Sequence, residues 1–97
     1  MLLHIGGDVS VPLKGLVCIL NDTGLMPETK AYIARLKQRR RYKKCEGRPK
    51  CYVLVNERGR EVVYASPIAA ATLEKRLKNE IRHAYLRECA VLTILED

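Results

Sequence analysis

The segment between Ala34 and Lys50, "ARLKQRRRYKKCEGRPK", holds nine Lys or Arg among its seventeen residues, and Glu46 is its one acidic residue. Acids alternate with bases later in the chain, in "EKRLKNEIR", which is typical of a solvated helix face. In the basic run, acids do not alternate with bases. The crowded cations of the run repel one another, and a bound polyanion would relieve that repulsion. The candidate nucleic-acid-binding residues are Arg39, Arg40, Arg41, Lys43, Lys44, Arg48 and Lys50.

The composition of the run narrows the class of polyanion. Sequence-tolerant binders of single strands stack bases on aromatic side chains, and Tyr42 is the one aromatic residue of the run. A membrane-surface helix needs large apolar residues opposite its basic face, and this helix offers mostly Ala, Tyr, Ile and one Leu. Duplex DNA held through its phosphates fits best. Two alternatives stay open: an RNA-binding or ribosome-associated module, and an oligomeric scaffold that binds an acidic protein.

Catalytic and metal-binding chemistry has little support in the sequence. The turn signal at Gly6 to Asp8 has no acidic cluster beside it that could hold a metal ion, and His4 lies in an apolar segment. The four cysteines form no Cys-x-x-Cys pair, and no glycine-rich loop precedes a helix in the phosphate-binding pattern. We therefore expect a protein that is not an enzyme and that uses no metal, cofactor or small-molecule ligand.

The elements that must position the basic run belong to one small domain, since 97 residues suffice for no more. Apolar segments and turn signals predict three short strands first, and the third, "LVCIL", is expected to be buried together with Cys18. A helix then begins at Pro27, because proline suits the first helical position, and continues through "PETKAYIARLKQR". Tyr32 or Ile33, with Leu36, can supply its inward stripe.

At the start of the second half of the chain, apolar residues recur at every second position, as is typical of β-strands. "CYVLVN" and "EVVYAS", joined by "ERGR", predict a β-hairpin in which Gly59 takes a positive φ. Ser66 and Pro67 predict the N-cap and first residue of a second helix. Along it, apolar residues recur at steps of four: Leu73, Leu77, Ile81 and Tyr85. The predicted fold is α+β in the order β-β-β-α-β-β-α, with two helices and an antiparallel sheet of about five strands.

The sequence contains no signal for export or membrane insertion. Its start, "MLLHIGGDVS", meets Asp8 before an apolar stretch can form, and its longest uncharged run, "VVYASPIAAATL", has twelve residues. We expect a cytoplasmic protein with reduced thiols. Because so small a domain gains by burying apolar surface against further copies of itself, we also expect a homo-oligomer.

Three segments of the chain resemble the RemA/RemB family of extracellular matrix gene regulators of Gram-positive bacteria. They are "LHIGGDVSVPLKGLVCILN", "GRPKCYVLV" and "VVYASPIAAATLEKRL". The strongest match is Ser66-Pro67 followed by "TLEKR", and the RemB branch is the closer one. The resemblance implies a regulator domain over residues 1–78 and leaves residues 79–97 outside it as a C-terminal helical extension or tail.

The resemblance also implies a function. It indicates an oligomeric DNA-binding transcriptional regulator of the type that controls matrix and biofilm genes, whose subunits assemble into a closed ring and present arginines to duplex DNA. The arginine-rich turn of the family falls on Gly47 to Lys50, where Arg48 and Lys50 match by position and charge, although Pro49 interrupts the arginines. The other five candidate cations are assigned from their charge and not from the motif.

Overall fold

A computed structural model describes residues 2–82, and it confirms the α+β fold. The elements in chain order are β1 (Leu2–Gly6), β2 (Val9–Pro12), a 3-10 turn (Leu13–Gly15), β3 (Leu16–Asn21), α1 (Pro27–Gln38), β4 (Tyr42–Lys44), β5 (Cys51–Glu57), β6 (Arg60–Ser66) and α2, which includes residues 70–82. Helix α2 continues through residues 78 and 79, where the family resemblance ends. Tyr85 and the rest of the predicted tail lie outside the described residues.

The strands form two sheets, with one strand more than the sequence predicts. β1 and β2 make an antiparallel hairpin, and the other four strands lie in the order β3-β5-β6-β4. The pairings of β3 with β5 and of β5 with β6 are antiparallel, as predicted, whereas β4 pairs in parallel with β6. β4 is the additional strand. Its sequence, "YKK", has no apolar alternation that would predict one.

The four-stranded sheet buries apolar side chains on both of its faces. The main core joins Val53 and Val55 of β5 to Leu3 and Ile5 of β1 and to Leu73 of α2. The side chains of Leu36 on α1 and Val63 on β6 are also buried, and they lie outside that cluster. Helix α1 contacts both β6 and β4. The sheet therefore lies between α1 on one face and the β1–β2 hairpin with α2 on the other.

β3 is a strand, as predicted, but it is only half-buried because it lies at the edge of the sheet. Cys18 is half-buried, and the side chain of Val17 is 54% exposed. Apolar residues of β3 line an open groove of about 400 Å³, together with Leu13, Leu77 and Ile81. This surface is called the apolar groove below.

The prediction that Ser66 caps α2, and that the following proline begins it, is wrong. The Ser66 hydroxyl donates to the carbonyl oxygen of Ile5 at 2.5 Å and accepts the backbone N–H of Ile68 at 3.1 Å. The first helical hydrogen bond of α2 instead joins the N–H of Leu73 to the carbonyl of Ala69, at 3.1 Å. Ser66 is the last residue of β6, and its hydroxyl connects β6 to β1.

Candidate nucleic-acid interface

The C-terminal end of α1 places three arginines on successive positions of one tight turn. The backbone N–H of Arg40 donates to the carbonyl of Lys37 at 3.2 Å, and that of Arg41 donates to the carbonyl of Leu36 at 2.8 Å. These two bonds, with Arg39 as the C-cap, form a Schellman motif. Arg40 has φ +59°, at the position of this motif that glycine usually occupies. The turn passes the chain directly from α1 into β4.

A second tight turn joins β5 to β6 through Arg58 and Gly59. Their φ angles are +53° and +81°, which are those of a type I′ turn. The side-chain oxygen of Asn56 accepts the backbone N–H of Gly59 at 3.0 Å and holds the turn closed. The predicted hairpin and the positive φ of Gly59 are therefore confirmed.

These two turns and the 3-10 turn border an open groove of about 1330 Å³. It is called the basic groove, and its cationic lining residues are Lys14, Arg39, Arg40, Arg41, Lys43, Arg58 and Arg60. Glu57 is the one carboxylate among the lining residues. Gly15 allows the 3-10 turn to pack closely against β5, because a Cβ at this position would lie 2.5 Å from the carbonyl oxygen of Asn56. Seven cations thus surround one concave surface.

Glu57 is held in the basic groove by two neighbours. The hydroxyl of Tyr64 donates to its carboxylate, and the Lys43 ammonium lies 3.7 Å from its Oε2. The same ammonium lies 3.4 Å from the Tyr64 hydroxyl and 5.4 Å from the centre of its ring. Burial, and then the carboxylate, raise the pKa of Tyr64, so its hydroxyl remains a donor at neutral pH. The charge of Lys43 is therefore partly balanced inside the subunit.

Three of the candidate residues from the sequence lie outside the basic groove. Lys44 follows Lys43 in β4, so its side chain leaves the opposite face of the sheet. Arg48 and Lys50 are exposed in the loop before β5. The seven residues of β5 separate this loop from the hairpin turn by roughly 20 Å. The loop is fixed by a hydrogen bond of 2.7 Å from the backbone N–H of Lys50 to the carbonyl of Ser66. The cations of the basic run therefore do not form a single surface.

Three cations of the basic groove are absent from the candidates that the sequence provides. Arg58 and Arg60 lie in "ERGR", which predicts a hairpin turn, and the two arginines beside its glycine are the signal that could have added them. Lys14 is a lone cation in "PLKG" and carries no such signal. All three reach the groove through tertiary packing, because they belong to elements far in sequence from the end of α1.

No protein-family model matches the chain, and no curated protein matches it. Among residues 2–82, no helix is both long enough and apolar enough to cross a membrane. The same part of the chain contains no group of three His, Cys, Asp or Glu side chains that could hold a metal ion. What it does present is the basic groove, with seven cations and one carboxylate.

Proposed function

We propose that the protein is an oligomeric DNA-binding transcriptional regulator that holds duplex DNA through its phosphates. The observation that carries this proposal is the basic groove, in which three separate segments of the chain, around residues 14, 39–43 and 58–60, bring seven cations together. Five of the seven are arginines, whose planar guanidinium groups suit phosphate oxygens. Contacts of this kind position a protein on DNA without reading its sequence. The resemblance to the RemA/RemB regulators supports the same function and implies that Arg48 and Lys50 form a second contact.

Assembly from identical subunits is part of the same proposal. One groove neutralises few phosphates, whereas several grooves on one duplex raise the avidity by roughly 10²–10⁴. The apolar groove favours β3 as the subunit contact. Within residues 2–82 it combines an unpaired strand edge with Val17 and Ile81, which are 54% and 55% exposed. β3 and β4 lie at opposite edges of the sheet, so this contact leaves β4 and the end of α1 free.

A gel-shift comparison of duplex DNA with structured RNA of equal length, at two salt concentrations, tests this function. We expect a shift of the duplex that weakens at the higher salt concentration. Tighter binding of the RNA would favour an RNA-binding or ribosome-associated module. No shift of either nucleic acid would contradict the proposal and favour a scaffold for an acidic protein.

The substitution Glu57→Gln should strengthen duplex binding. It removes the one carboxylate that lines the basic groove and releases the Lys43 ammonium for a phosphate, while the amide oxygen of glutamine still accepts the Tyr64 hydroxyl. We expect binding about fivefold tighter, because a partly exposed ion pair contributes up to about 1 kcal/mol. Fluorescence anisotropy with a labelled duplex measures the change.

Glu61→Gln is the matched control for this prediction. Glu61 is an exposed acid of β6, it does not line the basic groove, and its removal changes the net charge by the same amount. We expect a smaller gain from this variant. Equal gains from the two variants would show that net charge matters and that the position of Glu57 does not.

A further inference from the structure

Two residues other than glycine have a positive φ within residues 2–82, and both are arginines that line the basic groove. Arg40 has φ +59° and Arg58 has φ +53°. This left-handed region is unfavourable for a residue with a Cβ, and glycine or asparagine is its usual occupant. The two arginines belong to unrelated turns, one after α1 and one between β5 and β6.

Each of the two turns would be more stable with a different residue. The position of Arg40 in a Schellman motif favours glycine, and the position of Arg58 before Gly59 in a type I′ turn favours asparagine. In the described part of the chain, neither guanidinium forms a hydrogen bond or an ion pair that would compensate for the strained backbone. Backbone strain of this kind persists where function requires the side chain.

We propose that Arg40 and Arg58 form a two-arginine clamp for the phosphates of bound DNA. The inference rests on the proposed function and assigns its central contacts to these residues. The two arginines line the same groove from two separate turns, one after α1 and one between β5 and β6, and the left-handed backbone lets each tight turn close with an arginine at its corner. The two arginines lower the stability of their turns and provide two side chains that bind phosphate groups.

The variants Arg40→Gly and Arg58→Asn test the clamp, because strain and binding should change in opposite directions. Each should raise Tm by roughly 3–6 °C, since it relieves an unfavourable φ in a domain of this size. Each should also weaken duplex binding about tenfold, as expected for the loss of one charge-assisted contact. Differential scanning calorimetry and fluorescence anisotropy with a labelled duplex give the two values.

Two further variants serve as controls. Arg40→Lys keeps both the charge and the strained backbone, so its Tm should stay unchanged and its affinity should fall less than that of Arg40→Gly. Lys75→Gln removes one charge from the exposed surface of α2, outside the basic groove, and should change neither value appreciably.

The outcomes separate the clamp from the function on which it rests. A higher Tm with unchanged affinity would overturn the clamp and leave DNA binding intact. Weaker binding without a higher Tm would overturn the claim that the two positions are strained. Failure of the wild-type protein to bind duplex DNA would overturn the proposed function, and the clamp with it.

Discussion

Replacement of Arg39, Arg40 and Arg41 with alanine should weaken duplex DNA binding by at least about 100-fold. Each arginine lines the basic groove, and a hydrogen bond to a charged group contributes about 1.5–3 kcal/mol. Three such contacts predict a larger loss if their effects add, but neighbouring contacts are seldom additive. The loss should be similar for unrelated DNA sequences, because phosphate contacts position the protein and do not select a sequence. Anisotropy titrations with two duplexes of different sequence measure it.

The fold should tolerate this triple substitution. Arg39 and Arg40 are exposed and Arg41 is half-buried, so we expect the free energy of unfolding to change by about 0.5 kcal/mol or less. The matched control replaces Lys75, Lys78 and Arg82 of α2 with alanine, which removes the same charge outside the basic groove. Unfolding of the arginine variant would show that these residues are structural. An equal loss of binding in the control would show that net charge alone governs binding.

The substitution Val17→Asp should separate the subunits and weaken duplex binding by roughly 10²–10⁴-fold, the avidity that linked grooves provide. Val17 is 54% exposed on the edge strand β3 and lines the apolar groove. A carboxylate there would be buried without a partner in a contact between two copies, whereas in a single subunit it remains in water. Light scattering should therefore find an oligomer well above 11.0 kDa for the wild-type protein and a folded monomer for the variant.

Thr72→Asp is the control for the subunit contact. Thr72 is exposed on α2 and does not line the apolar groove, so the added charge should leave the mass of the oligomer unchanged. The variant should bind duplex DNA nearly as well as the wild-type protein. A wild-type monomer that binds duplex DNA tightly would contradict the oligomeric part of the proposal.

The parts of the fold that the sequence predicts are those that local chemistry determines. Proline at the first helical position, an acid in the first turn and bases in the last turn specify α1, and the helix begins at Pro27 as expected. The turn of the central hairpin needs a positive φ, and Gly59 supplies it. Both features depend on residues within a few positions of each other, so a single sequence is enough to find them.

The features that the sequence does not predict depend on contacts between distant segments. β4 forms because α1 returns the chain to the free edge of β6, where the carbonyl of Arg41 accepts the N–H of Val63 at 3.0 Å. Ser66 looks like a helix cap, but its hydroxyl is bound to the carbonyl of Ile5, 61 positions away. The same Ser-Pro pattern is compatible with a helix cap and with a serine that connects two strands, so only the tertiary structure distinguishes the two roles.

The candidate site likewise combines features that the local sequence predicts with features that depend on tertiary structure. A count of charges identifies the basic run, and four of its seven candidate residues line the basic groove. The count cannot separate those four from Lys44, Arg48 and Lys50, because strand alternation and the length of β5 decide which surface each side chain reaches. Nor can it add Lys14, Arg58 and Arg60, which other elements bring to the groove.

The salt dependence of duplex binding by the wild-type protein tests the central claim most directly. The logarithm of the binding constant should fall linearly with the logarithm of the salt concentration, by about 0.9 for each phosphate neutralised. If four or more of the seven groove cations contact phosphates, the slope between about 50 and about 200 mM salt should be about −3.6 or steeper. A slope near zero over this range would contradict the assignment of the basic groove as a DNA-binding surface.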